Sequence, residues 1–255
     1  MYDSIDYAVE EGVATLTLNR PDVYNAFDEA MIEELNNALQ RVEEDENVYA
    51  LVFTGAGEGF CTGADVTAMP EWSDRSKTEY ATFLREVQTV VRRLRDLAEP
   101  SVAAVNGPAV GAGCDFALAC DVRYIAPDAY LSEGFVNVGL VPGDGGAWLL
   151  PKLIGESKAR KYLLTGEKID AEEATRLGLA SEAADAFEAA LEFAHEVVDR
   201  PALAVQHTNR LIGDDGSFEE HCEHAIDYQW ECVNDPEHAE AVAAMREDRD
   251  PEYSR

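Results

Sequence analysis

The chain has 255 residues, of which 46% are hydrophobic, and its 51 Asp and Glu outweigh 20 Lys and Arg to leave a formal charge of −31. That hydrophobic share supports a sizeable core, and acidity spread along the whole length argues against nucleic acid and anionic membrane surfaces as partners. There is no run of about eighteen apolar residues and no basic-then-apolar leader in MYDSIDYAVEEG, so a cytoplasmic protein without membrane contact is expected.

In chain order, residues 5–10 and TLTLNR (15–20) read as short strands joined across Glu11-Gly12. Asp28 is placed to cap a helix over 29–44, with Met31, Leu35, Ala38, Leu39 and Val42 at helical spacing. YALVFTG (49–55) is an apolar strand that enters the glycine-rich stretch GAGEGFCTGAD (55–65). An amphipathic helix is predicted over 77–97, ended by Pro100. SVAAVNG (101–107) reads as a buried strand, GAGCDFALAC (111–120) as a short helix and DVRYIA (121–126) as another strand. Alternation of helices with wholly apolar strands predicts an α/β core of mainly parallel pairing. From about residue 155 the pattern turns helical, at 156–164, 171–177, 185–199, 201–212, 217–233 and 236–248, and reads as a helical appendage suited to oligomer contacts. The expected division is a core of residues 1–195 and a helical C-terminal region of 196–255.

Two further compositional features bear on the setting. Self-repulsion at −31 opposes compaction at ordinary ionic strength and is screened by molar salt, which points to an extreme halophile. Cys61, Cys114, Cys120, Cys222 and Cys232 form no CxxC pair and read as reduced thiols.

Two loops share one expected design of strand, glycine-rich turn and helix: GFCTGAD (59–65) and NGPAVGAGCD (106–115). Small residues let a ligand approach the backbone, and N–H groups at a helix start carry partial positive charge. Two such donors aimed at one point would form an oxyanion hole; the alternative is a pair of ordinary tight turns. GAGEG (55–59) lacks the spacing of a dinucleotide fingerprint, and no Walker, GxSxG or HExxH pattern occurs. His221 and His224 stand three apart among acids, which reads as a solvated helix face rather than a metal site.

NRPDVYNAF (19–27), FTGAGEGFCTGAD (53–65), AAVNGPAVGAGCDFALACD (103–121), VGLVPGDGGAWLLPKLIG (138–155) and LTGEKIDAEEATRLGL (164–179) together resemble the successive blocks of the crotonase (enoyl-CoA hydratase/isomerase) family. The resemblance runs in order over essentially the whole chain. It implies a crotonase-like spiral of ββα units with a helical C-terminal region, assembled as a homotrimer or homohexamer. It also implies an acyl-coenzyme A thioester as substrate, with no separate cofactor and no metal. By position, the oxyanion donors would be the N–H groups of Ala64 and Ala112, and coenzyme A would run along Val23, Tyr24, Ala26, Thr62 and Asp65. Its negative charges call for local cations, for which Arg20, Lys158, Arg160 and Lys161 are candidates.

The family's two hydratase glutamates fall here on Asp115, one methylene shorter, and on Phe135, which cannot titrate and is expected in the pocket wall. Two nearby acids offer a replacement. Glu133 lies two residues before Phe135 on an apparent strand and would share its face. Asp144 sits in the turn 142–146, one position beyond the catalytic Asp that the family's isomerases carry there, and could instead cap the following helix. Tyr130, Trp72 and Trp148 read as packing residues. The expected reaction is hydration of a 2-enoyl-CoA, with Asp115 and either Glu133 or Asp144 moving the protons. Double-bond isomerisation is the alternative on the same scaffold, and a non-catalytic acyl-CoA-binding protein is the alternative of another class.

Overall fold

Across Glu11-Gly12, both at positive φ, β1 (Ile5–Glu10) and β2 (Val13–Leu18) form an antiparallel hairpin that starts the main sheet. The computed structural model describes residues 2–67, 69–213 and 216–253. β3 (Ala50–Gly55), β4 (Ser101–Val105), β6 (Val122–Ile125) and β9 (Ser181–Glu182) extend that sheet in the order β1-β2-β3-β4-β6-β9, every pair after the hairpin being parallel. All residues of β3 and β4 are buried, as strands covered on both faces require.

A second, three-stranded sheet stands beside the first in the order β5 (Ala109–Val110), β7 (Tyr130–Ser132), β8 (Ile169–Asp170). The two sheets are built by the same repeated step. The chain runs along a main-sheet strand, crosses to the second layer and returns through a helix: β4, β5, then α3 (Ala112–Ala119) is one such unit. An isolated parallel bridge between Cys61 and Ala109 gives the segment after β3 the same place in the second layer. The result is the spiral of ββα units that the motif order implied.

α1 (Glu29–Glu44) forms as its spacing predicts. The Met31 N–H donates to Asp28 Oδ1 at 2.9 Å, and Met31, Leu35, Ala38, Leu39 and Val42 are buried together with Ile32. α2 (Lys77–Asp96) begins with a capping box between Ser76 and Glu79 and buries Val87, Val90, Val91 and Leu94. These two helices and α3 enclose the main core with one face of the sheet.

The helical appendage expected from residue 155 is a change of composition rather than of packing. After α4 (Gly146–Ile154), α5 (Glu156–Thr165) and α6 (Ala171–Leu177), the chain supplies β8 and β9 to the two sheets. α7 (Ala186–Val198) then lays Ala186, Ala190 and Ala194 on the other face of the main sheet, against Val13, Ala50, Val52, Val102 and Ala104. Alanines at four-residue spacing let that helix sit close to the strands. Beyond it, α8 (Ala202–Ile212), α9 (Phe218–Val233) and α10 (Pro236–Glu247) pack mainly on one another. No helix among the described residues is long and apolar enough to cross a membrane.

Candidate active site

Three segments far apart in sequence are pulled to one place by short polar links. Asn25, wholly buried at positive φ, donates from Nδ2 to the carbonyls of Gly59 at 2.7 Å and Ala56 at 2.9 Å, while its Oδ1 accepts from the Arg20 N–H at 2.8 Å. Asn106 donates to the carbonyls of Gly55 at 2.8 Å and Gly57 at 3.0 Å. At Gly113, a Cβ would stand 2.1 Å from the Cys61 carbonyl oxygen, so only glycine lets the start of α3 press against the 61–65 loop.

That loop continues into a bridge with Phe27 instead of into a helix, which corrects half of the shared design expected of the two loops. The bridge has a consequence for Ala64. The Phe27 N–H donates to the Gly63 carbonyl and the Asp65 N–H to the Phe27 carbonyl, both at 2.9 Å. Backbone groups alternate in direction along such a segment, so the Ala64 N–H faces away from Phe27. Ala112 is the first residue of α3, where an N–H has no intrahelical acceptor. Neither N–H donates to another group among the described residues. The two donors are neighbours: a Cβ on Gly63 would lie 3.7 Å from the Ala112 nitrogen.

Both alanines line a cavity of about 360 Å³. Most of its wall is apolar, from Phe27, Val87, Val110, Phe135 and Leu140 to an aromatic group of Trp72, Tyr80 and Phe83. Trp72, read from the sequence as a packing residue, belongs to this wall; Tyr130 and Trp148 do not, and lie beneath Lys168 and beneath Arg95 and Lys152 respectively. Nothing periodic in residues 69–74 marks that segment, which forms a 3-10 helix of six residues, so Trp72 gave no positional signal.

The three candidate acids take two different places. Asp144 lines the cavity, and it is the one carboxylate side chain to do so among the described residues. It is 8% exposed, its Oδ1 is buried without a partner, and burial raises its pKa to about 7. It does not cap α4, whose N-cap is Gly145. Asp115 and Glu133 are absent from the cavity wall and wholly buried behind the start of α4. Asp115 Oδ1 and Glu133 Oε1 each lie 2.2 Å from the point where a Gly146 Cβ would stand. None of their four carboxylate oxygens receives a well-formed hydrogen bond from a protein donor. Burial raises both, Glu133 to about 7 and Asp115 well above the ordinary carboxylate range, where the nearby Glu133 charge lifts it further. Two such groups cannot both ionise in one dry space, so the charge on either opposes ionisation of the other.

Glu133 also departs from its expected geometry. β7 ends at Ser132, and Glu133 precedes a 3-10 turn over Gly134–Val138. Residues two apart on such a turn diverge: Glu133 points to Gly146, while Phe135 stays in the cavity wall, its ring 3.6 Å from where a Gly111 Cβ would be.

Val23 and Tyr24 are 40% and 47% exposed on a 3-10 turn and its left-handed cap, and Ala26 is buried. The Thr62 N–H donates to the Tyr24 carbonyl at 3.1 Å, so the two stretches proposed for coenzyme A do lie side by side, although only Thr62 of the five residues lines the cavity. Asp65 is occupied by Thr67 and by Arg20 at 3.4 Å. Of the cation candidates, Arg20 is also spent on Asp28 and the Ala26 carbonyl, Arg160 pairs with Glu156 and Lys161 with Glu167; Lys158 makes no ion pair among the described residues. His221 and His224 are part of no metal-binding cluster among the described residues.

Two neighbouring N–H groups without acceptors, on residues that line an apolar cavity with one acid, suit stabilisation of an enolate. A family model described as enoyl-CoA hydratase/isomerase matches residues 8–254. The chain belongs to that family. It is 39% identical over 255 residues to a probable enoyl-CoA hydratase of Mycobacterium tuberculosis, covering 96% of this chain and 98% of the relative. It is 33% identical to the 1,2-epoxyphenylacetyl-CoA isomerase of Escherichia coli over 258 residues, 96% of each chain. A crystal structure of a putative enoyl-CoA hydratase from Streptomyces coelicolor superimposes with a TM-score of 0.95 at 34% identity, covering 100% of this chain and 95% of the other. As a member of the enoyl-CoA hydratase/isomerase family, the chain is an acyl-CoA-processing enzyme.

Proposed function

We propose that the enzyme hydrates 2-enoyl-CoA thioesters, with Asp144 as the group that moves the proton. The observation that carries this is the placing of two free N–H donors, on Ala64 and Ala112, on one cavity with a single acid whose pKa is about 7. In this reading the thioester oxygen accepts from both donors. The Asp144 carboxylate takes a proton from a water as its oxygen bonds to Cβ; the C=C electrons move onto the thioester oxygen, and the enolate then takes the proton back from Asp144 at Cα. Atoms balance: one water is added and the acid is regenerated. Each donor contributes about 3–4 kcal/mol to the charged transition state. A group with a pKa near 7 serves well in both directions, as base and then as acid.

One observation favours a second reaction on the same site. Because Phe135 and the other wall residues offer no second cavity carboxylate among the described residues, Asp144 could as readily shuttle a proton between Cα and Cγ, which is double-bond isomerisation. The two reactions separate in one assay. Purified protein in molar KCl is mixed with but-2-enoyl-CoA, and the enoyl absorbance and product mass are followed. Loss of the band with a gain of one water supports hydration. Conversion of a 3-enoyl-CoA without a mass change, and no water gain from the 2-enoyl ester, replaces it by isomerisation.

We further infer a homo-oligomer, a trimer or a pair of trimers. Phe218, Ile226 and Trp230 on α9 and Met245 on α10 are 62–85% exposed, an apolar display that a second copy would cover. A cytoplasmic, high-salt setting with a role in fatty-acid β-oxidation fits the unpaired cysteines, the acidic surface and an acyl-CoA substrate. Coenzyme A enters only as part of the substrate.

A further inference from the structure

We infer that the cavity is shaped for an acyl group ending in an aromatic ring, an inference that rests on the acyl-CoA reading of the site. Trp72, Tyr80 and Phe83 form a three-ring cluster with centroids 5.9, 5.6 and 6.4 Å apart, tilted or edge-on to one another. All three line the cavity and are only half-buried, so part of each ring remains open to an occupant. Phe135 adds a fourth ring beside the donor pair, against Gly111.

Size favours a bulky group. A dry apolar cavity of about 150 Å³ holds benzene. The cavity here, about 360 Å³, has room for such a ring plus the three-carbon enoyl stub that must reach Ala64 and Ala112. A four-carbon acyl group would leave most of it unfilled. A straight alkyl chain of equal volume could occupy the space, but each of its torsions must be ordered on binding, and it gains nothing from the offset and edge-to-face geometry that aromatic walls reward. The wall is also fixed in place. Trp72 is held by its ring contacts with Tyr80 and Phe83 on α2, and Arg75 lies 5.4 Å over the Phe83 ring while pairing with Glu29 on α1.

Calorimetry with saturated thioesters tests this without turnover. In molar KCl, 4-phenylbutanoyl-CoA is expected to bind at least tenfold more tightly than butanoyl-CoA and at least threefold more tightly than octanoyl-CoA. Equal or tighter binding of octanoyl-CoA, or no gain of the ring over butanoyl-CoA, overturns the inference. Trp72→Leu and, separately, Phe83→Leu should abolish the advantage of the ring over octanoyl-CoA; an advantage that persists in both also overturns it. Turnover of but-2-enoyl-CoA without any ring preference in binding removes the aromatic assignment alone. Ring preference with no turnover of any enoyl thioester leaves the assignment standing and removes the proposed reaction.

Discussion

At the scale of single residues, Asp144 stands on the cavity and the Asp115–Glu133 pair lies behind Gly146, where the sequence suggested that Asp115 would work with Glu133 or Asp144. Asp144→Asn keeps the shape and removes the titrating group, so kcat should fall by roughly 10²–10⁴ with thioester binding nearly unchanged. In the unsubstituted enzyme kcat/KM should rise with pH through about 7 as Asp144 ionises, then level off. Stopped-flow absorbance over pH 5–9 reads both; a profile without that rise, or an active Asp144→Asn enzyme, assigns the proton transfer elsewhere. Stability should run the opposite way. Glu133 and Asp144 have pKa values raised to about 7, so between pH of about 4 and 7 the folded protein holds protons that the unfolded chain has lost. Unfolding free energy therefore falls as pH rises through that window, and Asp115, raised in the same direction, adds to the fall. Two part-exposed acids with lowered pKa, Glu173 and Glu240, act in the other direction, adding stability that is lost as pH falls from about 4.5 to about 2. Glu133→Gln removes a buried group that takes up a proton on folding and sets an amide beside Asp115. Urea titrations should find it more stable than the parent at pH 8, by on the order of 2 kcal/mol, with little difference at pH 5. Loss of stability at pH 8 would mean that the pair is satisfied in some other way.

At the scale of elements, the sequence could be read well wherever periodicity and a cap spoke together. α1 and its Asp28 cap, α2 and the buried strands β3 and β4 stand where their patterns placed them. The start of α3 near Gly111 was also readable from its glycines, whereas the choice of Ala64 and Ala112 as donors came only from the family resemblance. What could not be read is direction at element ends. The face of Glu133 depended on whether β7 stopped at Ser132, a matter of one residue that no local pattern decides. Gly146 shows the same limit from the other side. In the sequence it is one glycine of a turn, but in the fold it is the space that admits two carboxylates at the start of α4. Gly146→Ala would push a methyl to within 2.2 Å of both. Overpacking of this kind costs about 1–3 kcal/mol, and here it should also displace Asp144, two residues earlier, from the cavity. Thermal unfolding should show the loss of stability, with kcat falling more than thioester affinity. A variant as stable and active as the parent would mean that α4 can shift at no cost.

At the scale of the whole molecule, charge dominates what remains unexplained by packing. A formal charge of −31 on 255 residues cannot be neutralised from within, since several of the cations are already held in local pairs: Arg20 with Asp28 and Asp65, Arg93 with Glu43, Arg176 with Glu173, Arg249 with Glu240 and Glu247. These pairs are mostly at the surface, where each contributes little, and they leave a large excess of acids facing one another across solvent. The Debye length shrinks from about 10 Å at 0.1 M salt to about 3 Å at 1 M, so the repulsion between neighbouring acids persists at the first and is largely screened at the second. Screening acts more on the compact state than on the expanded chain, because folding brings the acids together. The midpoint of thermal unfolding should therefore rise by on the order of 10 °C between 0.1 and 2 M KCl, the shift expected from a few kcal/mol in a chain of this size. NaCl should act much as KCl does if screening is the cause. A midpoint that stays flat with either salt would show that the charges are spaced widely enough for the fold to tolerate them unscreened.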